Sequence, residues 1–280
     1  MTFHVGERLA LVGDVYGDAA APPVLLLHGG GQTRHAWGET AAHLGACGFR
    51  AYALDQRGHG DSDFAPDADY RLEAFAADLR GVVVQLGARP AIVGASLGGL
   101  AALLAEGESA GTAGIASAIV LVDIVPRMEL AGVARIVEFM RARPEGFASL
   151  EEAAEAVASF LPHRPRPTGL AGLRKNLRLG ADGRYRWHWD RQMMFGPQRL
   201  GASGHADHLE RCARTLRVPT LLVRGRMSDV VSEEGARRFL DLVPHARYAD
   251  VSGAGHMVVG DRNDAFTQAV VTFLSEVVAR

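Results

Sequence analysis

The sequence predicts an α/β fold built on a mostly parallel sheet, and three observations carry that expectation. Short, fully apolar runs recur along the chain, as strands buried on both faces require. Segments with apolar residues at helical spacing separate them, the alternation that places helices over a parallel sheet. Each run also ends in a cluster of glycines and polar residues, and in open α/β sheets ligands bind at those carboxyl ends of strands.

Taken in order, Thr2–Gly17 alternates Phe3, Val5, Leu9, Leu11 and Val15 around Gly6 and Gly13, the pattern of an antiparallel hairpin at a sheet edge. Val24–Leu27 is the first buried run and ends in His28-Gly29-Gly30-Gly31-Gln32, with Trp37 in the helix that follows. Three consecutive glycines let backbone N–H groups face a cavity without side chains in the way. Arg50–Leu54 is the next strand, leading into the charged loop Asp55–Ser62, in which Asp55 and Arg57 are expected to tie down backbone. A helix over Leu72–Leu86 precedes the strand Ala91–Ala95. Ser96 then stands between Gly94 and Gly98, ahead of an alanine- and leucine-rich helix. Gly-x-Ser-x-Gly between strand and helix is the pattern of a nucleophile elbow, where a tight turn exposes the hydroxyl. Ala118–Val122 is another buried strand, with Asp123 at its end.

From Arg127 to about Arg211 the character changes. Expected helices over Leu130–Arg141, Leu150–Phe160 and Gly169–Leu179 are separated by Arg- and Pro-rich turns, and no buried strand is evident. The segment is expected to be a helical cap, residues 127–211, inserted into a core of residues 1–126 and 212–280. Tyr185–Trp189 and Met193–Phe195 concentrate aromatic and soft side chains. Packing within the cap explains them, since aromatics bury area wherever they lie; Trp187, Met193 and Met194 are the pocket-lining candidates. The strand Val218–Val223 then leads to Arg224–Val231, and the strand Arg247–Val251 to Gly253-Ala254-Gly255-His256, before a closing helix over Asn263–Val278.

Composition narrows the function classes. The chain has 280 residues, 48% of them hydrophobic, sufficient for one large domain with an insertion. A net charge of −2 gives no broad attraction to nucleic acid or anionic membrane. Two distant cysteines, Cys47 and Cys212, suit free thiols in a reducing compartment. The start of the chain lacks a basic and apolar leader, and no apolar run approaches the roughly 20 residues of a membrane span, so a cytoplasmic protein is expected. Neither metal-ligand spacing nor a dinucleotide fingerprint is present, so no cofactor and no metal are expected. Oligomeric state is left open.

Serine, acid and histidine occur in the order Ser…Asp…His, each after a strand. With His28-Gly29-Gly30 and Trp37, Asp55–Gly60, Gly94–Gly99, Arg224–Asp229 and Gly255-His256, the chain resembles the α/β-hydrolase superfamily over essentially its whole length. The resemblance implies an eight-stranded sheet with the cap after the sixth strand, Ser96 as nucleophile, His256 as general base and Asp229 as its orienting carboxylate. Asp123 also ends a strand, where some relatives carry the acid; otherwise it would shape the pocket floor. The N–H groups of Gly30 and Leu97 would form the oxyanion hole, and Trp37 would stand near the substrate or serve packing alone. A serine nucleophile argues against haloalkane dehalogenase and epoxide hydrolase chemistry, which in this fold use aspartate. The resulting expectation is a hydrolase of a small ester, lactone or thioester. Carbon–carbon bond hydrolysis, acyl transfer, perhydrolysis or lyase chemistry on the same residues, and a ligand-binding receptor, are the alternatives.

Overall fold

The computed structural model describes residues 1–6, 8–109, 111–162, 169–200, 205–256 and 263–278. Its main sheet has eight strands: β1 (Thr2–Val5), β2 (Leu9–Tyr16), β3 (Pro23–Leu27), β4 (Arg50–Leu54), β5 (Ala91–Ala95), β6 (Ala118–Val122), β9 (Thr220–Gly225) and β10 (Arg247–Val251). The spatial order is β1-β2-β4-β3-β5-β6-β9-β10. Only β2 runs against its neighbours; from β4 onward every pairing is parallel.

Side chains alternate across a strand, so β3 feeds two cores. Leu25 and Leu27 join one with α2 (Leu72–Leu86) and α3 (Leu97–Gly107); Val24 and Leu26 join the other, with α1 (Gly38–Ala46) and α10 (Asn263–Val277). The expected helix containing Trp37 is divided, Arg34–Trp37 forming a 3-10 turn ahead of α1. The charged loop after β4 is tied down as expected. Asp55 accepts from the Arg34 and Asp61 N–H groups at 2.6 and 3.0 Å, and Arg57 makes two 2.6 Å bonds to Asp78.

Between β6 and β9 lie α4 (Leu130–Arg141), α5 (Leu150–Phe160), α6 (Ala171–Arg174), α7 (Gln192–Phe195) and α8 (Ala206–Thr215). Ser149 caps α5 by accepting from the Glu152 N–H. The expected helix over 169–179 is one turn only. Leu177–Leu179 instead forms β7, paired antiparallel with β8 (Tyr185–Trp187). The cause is visible in Tyr185-Arg186-Trp187-His188-Trp189, where aromatic residues alternate with basic ones at the period of a strand. Gly183, at φ +76°, makes the turn. Part of the Arg- and Pro-rich stretch, residues 163–168, lies outside the described residues. The expected boundary at 211 falls within α8, which packs on α3: Thr215 Oγ1 donates to the Gly107 carbonyl at 3.0 Å, and a methyl at Gly107 would meet Cys212 Cβ at 2.3 Å. Among the described residues no helix is long and apolar enough to cross a membrane.

Candidate active site

Three strand ends converge. Ser96 leaves β5 with φ 46° and ψ −114°, a conformation that L-residues rarely adopt. It is affordable because the neighbouring glycines let strand and helix close together. A methyl at Gly98 would lie 2.5 Å from Leu27 Cβ, and one at Gly94 would lie 2.5 Å from the Gly98 carbonyl. Asp123 leaves β6 with φ 50°, fully buried, its N–H bonded to the Val223 carbonyl at 2.7 Å. His256 comes from the loop after β10, its side chain 10% exposed.

His256 Nδ1 lies 2.7 Å from Asp123 Oδ2, and Nε2 lies 3.1 Å from Ser96 Oγ. A carboxylate only accepts, so Nδ1 carries the proton and Nε2 is left to accept from the serine hydroxyl. Asp123 takes two further donors: the Gly225 N–H at 2.9 Å on Oδ1, and the Ser228 hydroxyl at 2.5 Å on Oδ2. Ser228 Oγ itself accepts from the N–H groups of Val230 and Val231, each at 3.1 Å, which directs its single hydrogen to the carboxylate.

Asp229, the expected acid, is elsewhere. It pairs with Arg135 of α4 at 2.6 Å, and its side chain is 40% exposed. One residue of loop register accounts for the correction. Ser228 takes the inward slot and bonds Asp123, which turns Asp229 outward toward α4. Ser228 is thus a site residue that sequence reasoning missed; a hydroxyl immediately before the expected acid was the available signal.

The glycine loop lies against the elbow. A methyl at Gly29 would meet Ser96 Cβ at 3.2 Å, and one at Gly30 would come within 4.0 Å of Leu97 Cδ2. As the first residue of α3, Leu97 has an N–H outside the intrahelical ladder. The peptide unit that carries the Gly30 N–H is held by its other end: the Gly29 carbonyl accepts from His28 Nδ1–H at 2.8 Å and from the Gln32 N–H at 3.1 Å.

His28, His59 and His188 form a buried row, with ring centroids 4.8 and 5.8 Å apart. Burial dominates their titration, pushing His28 and His188 down to about 3 and His59 well below its ordinary value. All three are therefore neutral imidazoles at neutral pH.

The remaining pocket candidates scatter. Trp37 is fully buried against Phe266, at 5.8 Å, in the core that contains α1 and α10, so it is a packing residue. Trp187 is half-buried and stacks on Trp189 at 5.0 Å. Trp189 and Met140 would both lie 3.2 Å from a methyl at Gly31, which places part of the segment between β6 and β9 over the glycine loop. Met193 and Met194 are buried in the core shared with α3 and α4.

Comparison with known proteins agrees with this architecture. The alpha/beta hydrolase fold family matches residues 22–262. The mouse sn-1-specific diacylglycerol lipase ABHD11 is 30% identical over 275 residues, covering 92% of this chain and 83% of its own. Esterase Rv0045c of Mycobacterium tuberculosis is 30% identical over 259 residues, covering 90% of this chain and 82% of its own. The crystal structure of E-2-(acetamidomethylene)succinate hydrolase superposes with a TM-score of 0.85 over 98% of this chain and 99% of its own; at 23% identity that is a likeness of fold. A match across most of its length, on a sheet whose strand ends bring Ser96, His256 and Asp123 together, places the chain in the α/β-hydrolase family, as an enzyme of that fold.

Proposed function

We propose that the protein is a serine hydrolase acting on a carboxylic ester, lactone or thioester through an acyl-enzyme on Ser96. The observation that carries this reading is the hydrogen-bonded chain from Ser96 Oγ through His256 to Asp123, at 3.1 and 2.7 Å. A serine hydroxyl is a poor nucleophile unless a base takes its proton as it attacks. His256 Nε2 accepts that proton, Ser96 Oγ bonds to the carbonyl carbon, and negative charge gathers on the carbonyl oxygen. The Gly30 and Leu97 N–H groups face that oxygen; losing one such donor costs about 10²–10³ in rate. Protonated His256 then gives its proton to the leaving alcohol or thiol, and the C–O or C–S bond breaks. A water molecule, deprotonated by His256, attacks the acyl-enzyme and releases the acid, returning the proton to Ser96. Asp123 holds the imidazole in the required tautomer and offsets its charge while it is protonated.

The segment between β6 and β9 acts in this reading as a lid, with Met140 and Trp189 reaching the glycine loop beside Ser96. The ester-hydrolysing relatives favour esters over the other chemistries that this fold supports. The test is a turnover screen of p-nitrophenyl esters graded by acyl length, run beside Ser96→Ala and fluorophosphonate labelling. Wild type should hydrolyse short esters and lose activity in step with labelling. Ser96→Ala should label at no site and fall by about 10⁴-fold or more. Undiminished turnover in that variant would overturn the mechanism.

A further inference from the structure

Each of the three buried histidines holds a different peptide unit of the glycine loop. A trans peptide unit is planar, so fixing its carbonyl fixes the direction of its N–H, and the reverse. His28 donates to the Gly29 carbonyl at 2.8 Å, setting the unit whose other end is the Gly30 N–H. His59 Nε2 accepts from the Gly31 N–H at 3.1 Å, setting the next unit, while its Nδ1–H donates to the Arg57 carbonyl at 2.9 Å. His188 Nε2 lies 3.3 Å from the Gly31 carbonyl, on the third unit. That third unit ends in the Gln32 N–H, which returns to the Gly29 carbonyl at 3.1 Å and closes the loop on itself.

Two of these histidines belong to the core. His188 belongs to the insertion, following β8. Its tautomer is fixed by its second bond, because Nδ1 accepts from the Gly60 N–H at 2.7 Å and so leaves the proton on Nε2. It is 2% exposed and sits between His59 and Trp189. Two residues on, Asp190 anchors the same segment: its N–H donates to the Gly58 carbonyl at 2.9 Å, and its carboxylate accepts from Tyr70 at 2.7 Å.

We propose that His188 is a positioning residue for the oxyanion hole: by holding the Gly31 carbonyl, the docked insertion sets the orientation of the loop that presents the Gly30 N–H. The insertion then does more than cover the site. Its seating on the core completes the catalytic geometry, so lid closure and transition-state stabilisation are coupled through one imidazole. The proposal rests on the reading of Gly30 as an oxyanion donor.

Three substitutions of His188 in the full-length protein separate the contacts. His188→Ala removes both; His188→Gln keeps a donor near the Nε2 position; His188→Asn keeps an acceptor near Nδ1 for the Gly60 N–H. With p-nitrophenyl acetate, His188→Ala should lower kcat by about 10–100-fold with KM changed less than about threefold, the signature of a misplaced oxyanion donor. His188→Gln should recover most of that loss, and His188→Asn little of it. Amide hydrogen exchange supplies a readout that needs no turnover: the Gly31 and Gln32 amides should exchange about tenfold faster or more in His188→Ala and return toward wild type in His188→Gln. Equal recovery by Asn and Gln, a loss confined to KM, or unchanged exchange at both amides would each overturn the proposal. A folded wild type that turns over no ester and leaves Ser96 unlabelled would overturn the hydrolase reading, while the exchange data would still decide the His188 contact.

Discussion

Asp123 and Asp229 stand at the ends of neighbouring strands and differ in almost every physical respect. Asp123 is fully buried, sits at positive φ, and its carboxylate accepts three hydrogen bonds, from Gly225, Ser228 and His256. Asp229 is 40% exposed and holds one arginine at the surface. A buried carboxylate is tolerated only when its charge is met by donors. Those same donors fix its position, which orienting a histidine requires. Solvent meets the charge of Asp229, and nothing immobilises it to the same degree. The contrast shows that rank order along the chain is a poor guide to which acid serves the histidine; the number of donors converging on the carboxylate is a better one.

The sharpest way to break this comparison is Asp123→Asn. An amide keeps the shape but places an N–H₂ where His256 needs an acceptor, which favours the wrong imidazole tautomer. In Ser-His-Asp hydrolases that exchange costs about 10⁴ in kcat, and a fall of about 10³–10⁴ is expected here, measured on a p-nitrophenyl ester at neutral pH. A fall of less than tenfold would remove Asp123 from the mechanism.

Ser228→Ala probes the same carboxylate more gently. It removes one charge-assisted donor from Asp123 and strips the acceptor from the Val230 and Val231 N–H groups. A hydrogen bond to a charged group contributes about 1.5–3 kcal/mol, here divided between folding and catalysis. Expected are a loss of about 1–2 kcal/mol in urea unfolding and a roughly tenfold drop in kcat, with KM little changed. Activity at the wild-type level would mean that Gly225 and His256 alone suffice to place the carboxylate.

How much of this was legible in the sequence depends on how far each feature reaches along the chain. Ser96 and His256 announce themselves locally, one between glycines at the end of a buried strand, the other in a glycine-bracketed loop. The sheet was legible for the same reason: Val24–Leu27, Ala91–Val93 and Ala118–Val122 are apolar without alternation, and strands of that kind have few alternatives. The acid was not, because two aspartates end two strands and only the path of the loop after β9 decides which of them points inward. Trp37 was ambiguous because an indole buries as well in a core as beside a substrate. His188 was hidden within an aromatic run. Its alternation with Trp187 and Trp189 carried the strand period, but what it touches is set by the β7–β8 pairing and by how the segment docks near Gly31 and Gly60.

The smallest expected effect belongs to the other side of the comparison. Asp229→Asn removes the ion pair with Arg135, two side chains exposed by 40% and 47%. Exposed pairs contribute about 0–1 kcal/mol, reduced further by salt, and Arg135 keeps its place over the Phe160 ring, 5.1 Å from its centroid, without the carboxylate. The expected outcome is kcat within about twofold of wild type, since the imidazole keeps its Asp123 partner, and a Tm lowered by no more than about 2–4 °C. A double-mutant cycle of Asp229→Asn with Arg135→Ala should return a coupling below about 1 kcal/mol that shrinks at 0.5 M salt. A large fall in kcat for Asp229→Asn, with Asp123→Asn still active, would reverse the assignment and require the loop after β9 to turn its carboxylate inward when substrate binds. Because Ser228 and Asp229 are adjacent, that turn would also withdraw the hydroxyl from Asp123, so the two aspartates cannot both serve His256 in one loop conformation.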